Sequence, residues 1–385
     1  MTAVDKLLIV PRCQYGYNTD YFQMTQRLSQ KNIDIEMICF DQGHRKLEAP
    51  KNVNITYVER KESRAGNFIR YISAVMKTIL TNRKDINWVI VSGTIEFCGI
   101  LPFLLKAVSP KIRWILDIRT CSVSPDKRKR QATDFLTLLS SHFFHKTTII
   151  SGLVAERLKI KKYKVLPLGS DCYVDLDEKK LDGKKADFLY VGNFDERRVE
   201  DLVIAFDIVN EKLGNKIDMN FDIVGFSDRE EPMKKVLHAI ENSSYVDKIT
   251  FHGRKSHDEI KTLFQNATIG FSYVPITGFF DVQPPTKTFE YIMNGIICIA
   301  TDTKANAEII TGKNGVLIKD NVPSIVEGIE KVLNNIAGYN SKELSRTVSA
   351  NKWANITGEF YTFLKRIDVK EKQRFIEKAV GKRAE

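Results

Sequence analysis

The stretch FFDVQPPTKTFEYIMNGIICIATDTKANAEII, residues 279–310, carries a cation and a carboxylate three positions apart, Lys287 and Glu290, just after Pro284 and Pro285. Proline is tolerated at a helix start, where the first amides have no intrahelical partner. A short helix opening at Thr286 would therefore present free amides, Lys287 and Glu290 together near its first turn. Amides and an ammonium take phosphates, while a carboxylate accepts hydrogen bonds from both hydroxyls of a diol. The set suits a ligand that joins a diphosphate to a sugar. The alternative is an amphipathic helix on which Lys287 and Glu290 pair in solvent.

Such a helix needs a frame. Phe289, Ile292 and Met293 form its buried side, Gly295 can close it in the left-handed conformation, and Ile296–Ala300 is an unbroken apolar run. That run is the pattern of a strand covered on both faces in a parallel sheet. The same alternation of strand and helix patterns fills the chain. One series has strands at Leu7–Val10, Ile33–Phe40, Val53–Val58, Trp88–Val91, Trp114–Ile118, Thr147–Ile150 and Val165–Leu168. A second has them at Phe188–Val191, Phe221–Val224, Ile249–His252, Ile269–Tyr273 and Val316–Ile318. Between them lies the charged run DLDEKKLDGKKAD, read as a linker. The expectation is an α/β protein of two doubly wound Rossmann-like domains, residues 1–170 and 171–352, facing across a cleft. Residues 353–385 supply a helix with apolar positions from Trp353 to Ile367 and a basic tail from Lys370 to Arg383.

Composition narrows the partners. The 385 residues are 43% apolar, enough for two cores, and 59 Lys+Arg against 48 Asp+Glu leave a net charge of +11. A basic chain is biased towards polyanions or anionic membranes. The six cysteines show no CxxC pair and no zinc spacing, and read as reduced and structural. The start MTAVDKLLIVP has too short an apolar core for a signal peptide, and no run reaches the ~20 residues that span a bilayer. The expected location is the cytoplasm, with any membrane attachment peripheral, at the inner face.

The order of signals in the second half resembles the GT-B glycosyltransferases, specifically family 4. Phe188-Leu-Tyr-Val-Gly-Asn-Phe-Asp-Glu-Arg-Arg198 looks like that family's strand, Gly-Arg-Leu loop and following lysine, and Asp222-Ile-Val-Gly225 like its next strand. Ile249-Thr-Phe-His-Gly253 is similar to the strand before the base pocket, and Lys287 with Glu290-Tyr291 to the variant P-x-K-x-x-E-Y. Asn314–Asp320 resembles its closing segment, and the helix from Trp353 looks like its final one, which by that resemblance crosses back onto the first domain. The resemblance implies transfer of a sugar from a nucleotide-diphosphate sugar, held by the second domain, to an acceptor glycan or lipid-linked acceptor held by the first, in assembly of a cell-surface polysaccharide or glycolipid. It further implies retention of anomeric configuration, with a donor phosphate oxygen taking the acceptor proton, no cofactor beyond the donor and no metal.

Residue by residue, the resemblance has Glu290 bond the ribose hydroxyls and Arg198 neutralise the diphosphate. Lys287 and the amides around Thr286 assist, Gly192, Asn193 and Arg197 line the donor loop, and Gly253, Arg254 and Lys255 meet the base. The family's loop arginine is Asn193 here, and its earlier glutamate falls on Val282, one residue from Asp281. The first loop offers only Tyr15-Gly16-Tyr17 where paired glycines are usual. Asp117 and Arg119 end a strand, and read equally as groups that orient donor or acceptor and as an ion pair that closes the loop. Lys127-Arg128-Lys129-Arg130 reads as a solvated loop, or as a face for a polyphosphate lipid or anionic membrane. With no RNP-like strand or zinc finger beside it, nucleic acid is not an expected partner. An epimerase or hydrolase of the same fold and a non-catalytic GT-B partner are the alternative functions.

Overall fold

The computed structural model describes residues 6–366 apart from 62, 96, 97, 123, 125, 180, 182 and 256. The basic tail from Lys370 lies outside the described residues. Two compact units divide the chain: residues 1–167 with 353–385, and residues 168–352.

The first unit runs β1 (Lys6–Val10), α1 (Thr19–Ser29), β2 (Asp34–Asp41), β3 (Val53–Glu59), α2 (Arg64–Asn82), β4 (Trp88–Ser92), α3 (Ile100–Leu105), β5 (Arg113–Ile118), α4 (Lys127–Ser141), β6 (Lys146–Ile149), α5 (Gly152–Arg157) and β7 (Lys164–Val165). Its seven strands, ordered β3-β2-β1-β4-β5-β6-β7, are all parallel. Strands with helices on both faces have no wet side, which is why β4 reads Trp-Val-Ile-Val and is buried throughout. Residues 353–366 form the last described helix. Its Trp353, Ile356, Phe360 and Leu364 enter the core of this unit beside Leu7, Ile9 and Leu28. The chain thus returns to its first unit after completing the second.

The second unit runs β8 (Lys185–Asn193), α6 (Glu200–Leu213), β9 (Asp218–Phe226), α7 (Glu230–Glu241), β10 (Ile249–Gly253), α8 (His257–Asn266), β11 (Ile269–Ser272), α9 (Thr286–Met293), β12 (Ile297–Thr301), α10 (Lys304–Ala307), β13 (Gly315–Ile318), α11 (Val322–Leu333) and α12 (Ser341–Thr347). Its six parallel strands are ordered β10-β9-β8-β11-β12-β13. The sheet switches direction at β8, between β9 and β11, and ligands of open α/β sheets bind beyond the strand ends at such a point. Phe188, Phe206, Phe221 and Phe271 pack as one aromatic cluster beneath that point, with Phe188 and Phe271 stacked at 5.7 Å.

Two local readings of the sequence change. Lys127–Arg130 is not a loop but the first turn of α4, because the Asp126 carboxylate accepts the amides of Arg128 and Lys129 and starts a helix. The charged run after Asp171 is not a free linker, since it packs on the second unit. The Asp175 amide donates to Gln265, and Lys179 is buried with its Nζ donating to the carbonyls of Phe264 and Gln265. No helix among the described residues is long and apolar enough to cross a membrane.

Burial pulls the Lys179 amine down to about 7, against the opposing fields of Cys172 and Asp187. Between that value and the ordinary 10.5, the unfolded chain holds a proton that the folded chain has released. Stability should then rise with pH across this window, by up to about 1.4 kcal/mol per unit. Urea unfolding at about pH 7.5 and about pH 9 is expected to show that rise in the wild type and to lose its Lys179 share in Lys179→Met. Equal pH slopes in the two proteins would exclude a neutral buried amine.

Candidate functional site

The candidate site lies on the second unit, where the end of β8 meets the start of α9. Helix α9 begins as its sequence requires: Pro285 is the N-cap in an extended conformation, and no side chain caps the helix. Three contacts set its position. The Thr288 hydroxyl lies 2.6 Å from that of Ser272 on β11 and donates to Asn306 on α10. Tyr291 accepts the Val191 amide of β8 through its hydroxyl at 2.8 Å, and its ring fills the space that the absent side chain of Gly270 leaves. Asn294 reaches back to the Glu290 carbonyl at 2.8 Å and takes the Tyr173 amide.

This placement drives Lys287 into an unusual environment. Its Nζ is buried, has no hydrogen-bond partner among the described residues, and lies 4.1 Å from the centroid of the Tyr190 ring. A side chain at Gly192 would come within 3.1 Å of that Nζ, so glycine is what lets the ammonium reach the β8 end. Burial lowers the Lys287 pKa well below its ordinary value and neighbouring Arg197 lowers it further, while Glu290 pulls the other way. The solvent pair between Lys287 and Glu290 is therefore not what holds this lysine. The tyrosine ring faces the amine in place of water, and the amine keeps unused donors at a helix start.

The loop after β8 places the other cations. Asn193 accepts the Asp195 amide at 2.6 Å through its side chain, and Asp195 in turn accepts Ser227 at 2.5 Å and Arg229 at 3.1 Å. Those bonds, the Ser227 one first, hold the Asp195 carboxyl below its usual range. Glu196 and Arg198 both adopt left-handed backbone, at φ 56° and 50°. Non-glycine residues in that region are uncommon and collect at functional loops. The kinks send neighbouring arginines apart. Arg197 lies over the Phe280 ring at 4.0 Å, and burial lowers its pKa. Arg198 pairs with Asp201 at 2.6 Å and donates to the Asp320 carbonyl at 3.1 Å. Arg197 is thus the arginine coupled to Lys287, while Arg198 fastens the loop to α6 and to the end of β13.

The remaining expected residues fall around this centre. Thr286 and Glu290 sit at the first and second turns of α9. Asp281 is engaged elsewhere, accepting the Lys304 amide at 3.0 Å and the Lys304 ammonium at 3.5 Å. It ties the loop before α9 to α10. Gly253 closes β10 at φ 64° with open space around it. Arg254 covers the Phe226 ring at 4.2 Å, and Lys255 pairs with Glu259 at 3.3 Å. Tyr190 and Phe280, the aromatic surfaces under Lys287 and Arg197, were not expected from sequence; Tyr190 read there as part of the strand Phe188–Val191, and Phe280 had no assigned role.

Asp117 and Arg119 belong to the first unit and are buried. Arg119 donates to Asp20 at 2.9 Å, to the Leu166 carbonyl at 2.6 Å and to the Pro167 carbonyl at 3.3 Å, and Asp117 lies 3.9 Å away. Thr148 donates to Asp117 at 2.6 Å. Burial pushes the Asp117 carboxyl up, against Arg119 and Thr148, whereas the two carboxylates outweigh burial and raise Arg119. This network ties α1, β5, β6 and the strand end at Leu166 together, as the loop-closing reading requires. A cavity of about 550 Å³ lies near it, lined by Arg12, Thr94, Thr120, Ser122, Asp134 and Thr137 among others.

Residues 175–351, all within the second unit, match the family described as Glycosyl transferases group 1. No curated protein matches the chain. Solved structures match over nearly its whole length. Sucrose-phosphate synthase from Thermosynechococcus elongatus is 14% identical, with 95% of this chain and 100% of that one covered at a TM-score of 0.73. HepE from Anabaena in complex with UDP is 9% identical, with 94% and 100% covered at 0.69. The catalytic domain of starch synthase IV from Arabidopsis thaliana, bound to ADP and acarbose, is 10% identical, with 95% and 99% covered at 0.68. At such identities the likeness is one of fold, the two-domain GT-B arrangement of parallel Rossmann-like sheets.

Lys287→Met keeps the length of the side chain and removes an unpaired buried polar group, whose burial costs about 1–3 kcal/mol. The variant is expected to gain stability of that order in urea unfolding at neutral pH. A loss instead would mean that the ammonium is satisfied in the folded state.

Proposed function

From a second unit that matches the Glycosyl transferases group 1 family, we propose that the protein transfers a glycosyl group from a nucleotide-diphosphate sugar to an acceptor hydroxyl. The observation that carries this reading is the buried, unpartnered Lys287 Nζ beside Gly192, coupled to Arg197 at the start of α9. In the reaction the bond between the anomeric carbon and the diphosphate oxygen breaks, and negative charge grows on the leaving diphosphate. Lys287, Arg197 and the first amides of α9 are preorganised donors for that charge, fixed before the reaction begins. With two cations and a helix start on the phosphates, the side chains can neutralise the leaving group without a metal. Glu290, one turn along, accepts the ribose hydroxyls. Arg198 acts here by holding the loop, since Asp201 already occupies its guanidinium.

The complexes of HepE with UDP and of starch synthase IV with ADP support a nucleoside diphosphate as the ligand class and leave the base open. Retention of configuration follows our reading that a donor phosphate oxygen takes the acceptor proton as the new glycosidic bond forms on the same face. We place the acceptor, a glycan or lipid-linked glycan of a cell-surface polymer, at the hydroxyl-lined cavity of the first unit.

Ligand binding supplies the test. A nucleoside diphosphate at a hundred times its dissociation constant adds about 2.7 kcal/mol to stability, so a thermal-shift screen of UDP, ADP and GDP sugars should give one clear upward shift. Glu290→Ala is expected to weaken that ligand about 100-fold through loss of two bonds to a charged acceptor. Binding should also draw a proton onto Lys287, since the phosphates raise the pKa that burial lowered. Affinity therefore falls as pH rises. Calorimetry in two buffers of different ionisation enthalpy should show proton uptake in the wild type and a smaller uptake in Lys287→Met. A donor consumed without acceptor would indicate an epimerase or hydrolase, and no shift with any nucleotide would point to a non-catalytic protein.

A further inference from the structure

Helix α4 of the first unit is fifteen residues long, and Ser140 is its only buried residue. Phe135 and Leu139, four positions apart on one face, are 62% and 47% exposed. Phe143 continues that line just past the helix, and Phe103 of α3, itself 63% exposed, meets it edge-on at 5.6 Å. The result is a continuous apolar strip across two helices. Scattered exposed apolar residues are ordinary, but aromatic groups gathered in one strip mark an interaction surface.

At the N-terminal end of the same helix stand Lys127, Arg128 and Lys129, all exposed, and no carboxylate pairs with any of them among the described residues. Position 128 lies two turns from Phe135 and so continues its face. Cations at a helix N-terminus oppose the macrodipole and do nothing for the helix itself. Nor does the neighbouring sequence offset them: Asp126 is used in capping the helix and Asp134 in pairing with Arg157 at 3.2 Å. An apolar strip that ends in uncompensated cations is complementary to a surface apolar below and anionic above.

We propose that α4 and the exposed face of α3 dock the first unit on an anionic lipid bilayer, with Phe103, Phe135 and Leu139 entering the interface and Lys127–Lys129 meeting the headgroups. A protein partner would more commonly match the strip with a shaped apolar counterpart, whereas the separation of aromatic from basic residues along one helix is what a bilayer boundary selects. The surface is independent of the donor site, so its failure would leave the glycosyl transfer reading untouched.

Co-sedimentation of the full chain with vesicles tests it. The protein should pellet with phosphatidylcholine vesicles that contain phosphatidylglycerol, remain in the supernatant with phosphatidylcholine alone, and be released by salt. Replacing Lys127, Arg128 and Lys129 with alanine should lower partitioning roughly 100-fold, at about fivefold per cation. Phe103→Ser with Phe135→Ser should abolish pelleting while circular dichroism and nucleotide thermal shifts stay as in the wild type. Pelleting of the triple alanine variant at the wild-type level would move the contact to the basic residues between Lys370 and Arg383 and overturn the proposal. Self-association that Phe135→Ser breaks, without vesicle binding, would overturn it in favour of a second copy.

Discussion

The second unit depends on a buried amino group that its fold does not satisfy. An unpaired amino group removed from water is among the more expensive features a core can contain. Here the surrounding packing enforces it. Helix α9 cannot rotate Lys287 outwards without breaking the Thr288 contacts to Ser272 and Asn306 or the bond from the Val191 amide to Tyr291. Tyr291 lies one turn along from Lys287 on the same face of the helix, and both it and Thr288 belong to the core. The ring of Tyr190 recovers part of the lost hydration. What remains is a local cost held in place by global packing, the usual relation between a functional group and its scaffold.

The loop between β8 and α6 shows a second way of storing such a cost. Left-handed backbone at Glu196 and Arg198 separates two adjacent arginines into different jobs. One points towards the Lys287 region over Phe280, and the other clamps the loop through Asp201 and Asp320. Asn193, which stands where the resembling family has an arginine, is part of the same device, because its side chain caps the turn that makes the kinks possible. A larger cation at that position would have to leave the turn uncapped.

Much of this architecture was legible in the residues, and the part that was not has a common cause. Apolar runs such as Ile296–Ala300 announce doubly covered strands because burial on both faces leaves no room for alternation. The pairing of Lys287 with Glu290 on one helix start followed from spacing alone. The division of labour between Arg197 and Arg198 did not, since it rests on two positive φ angles that no side chain advertises. The start of α4 at Lys127 was missed although Asp126 carried the capping signal, because four consecutive cations read as a loop. Lys179 looked solvated within a charged run. Its burial is imposed by the long-range carbonyls of Phe264 and Gln265, which sequence proximity cannot reveal.

The contrast between buried cations separates framework from site. Arg119 spreads its donors over the Asp20 carboxylate and two carbonyls, so its charge is matched and its geometry complete. Lys179 is likewise satisfied by two carbonyls. Removing either one would strand its acceptors, which is the signature of a structural tie. Lys287 strands nothing among the described residues when removed, because none of them accepts from it. In the glycosyl-transfer reading proposed above, the complement of that unused donor beside Arg197 and a helix start is an anion with several acceptor oxygens. Polar satisfaction, more than burial or charge, is what separates Lys287 from the two basic groups of the framework.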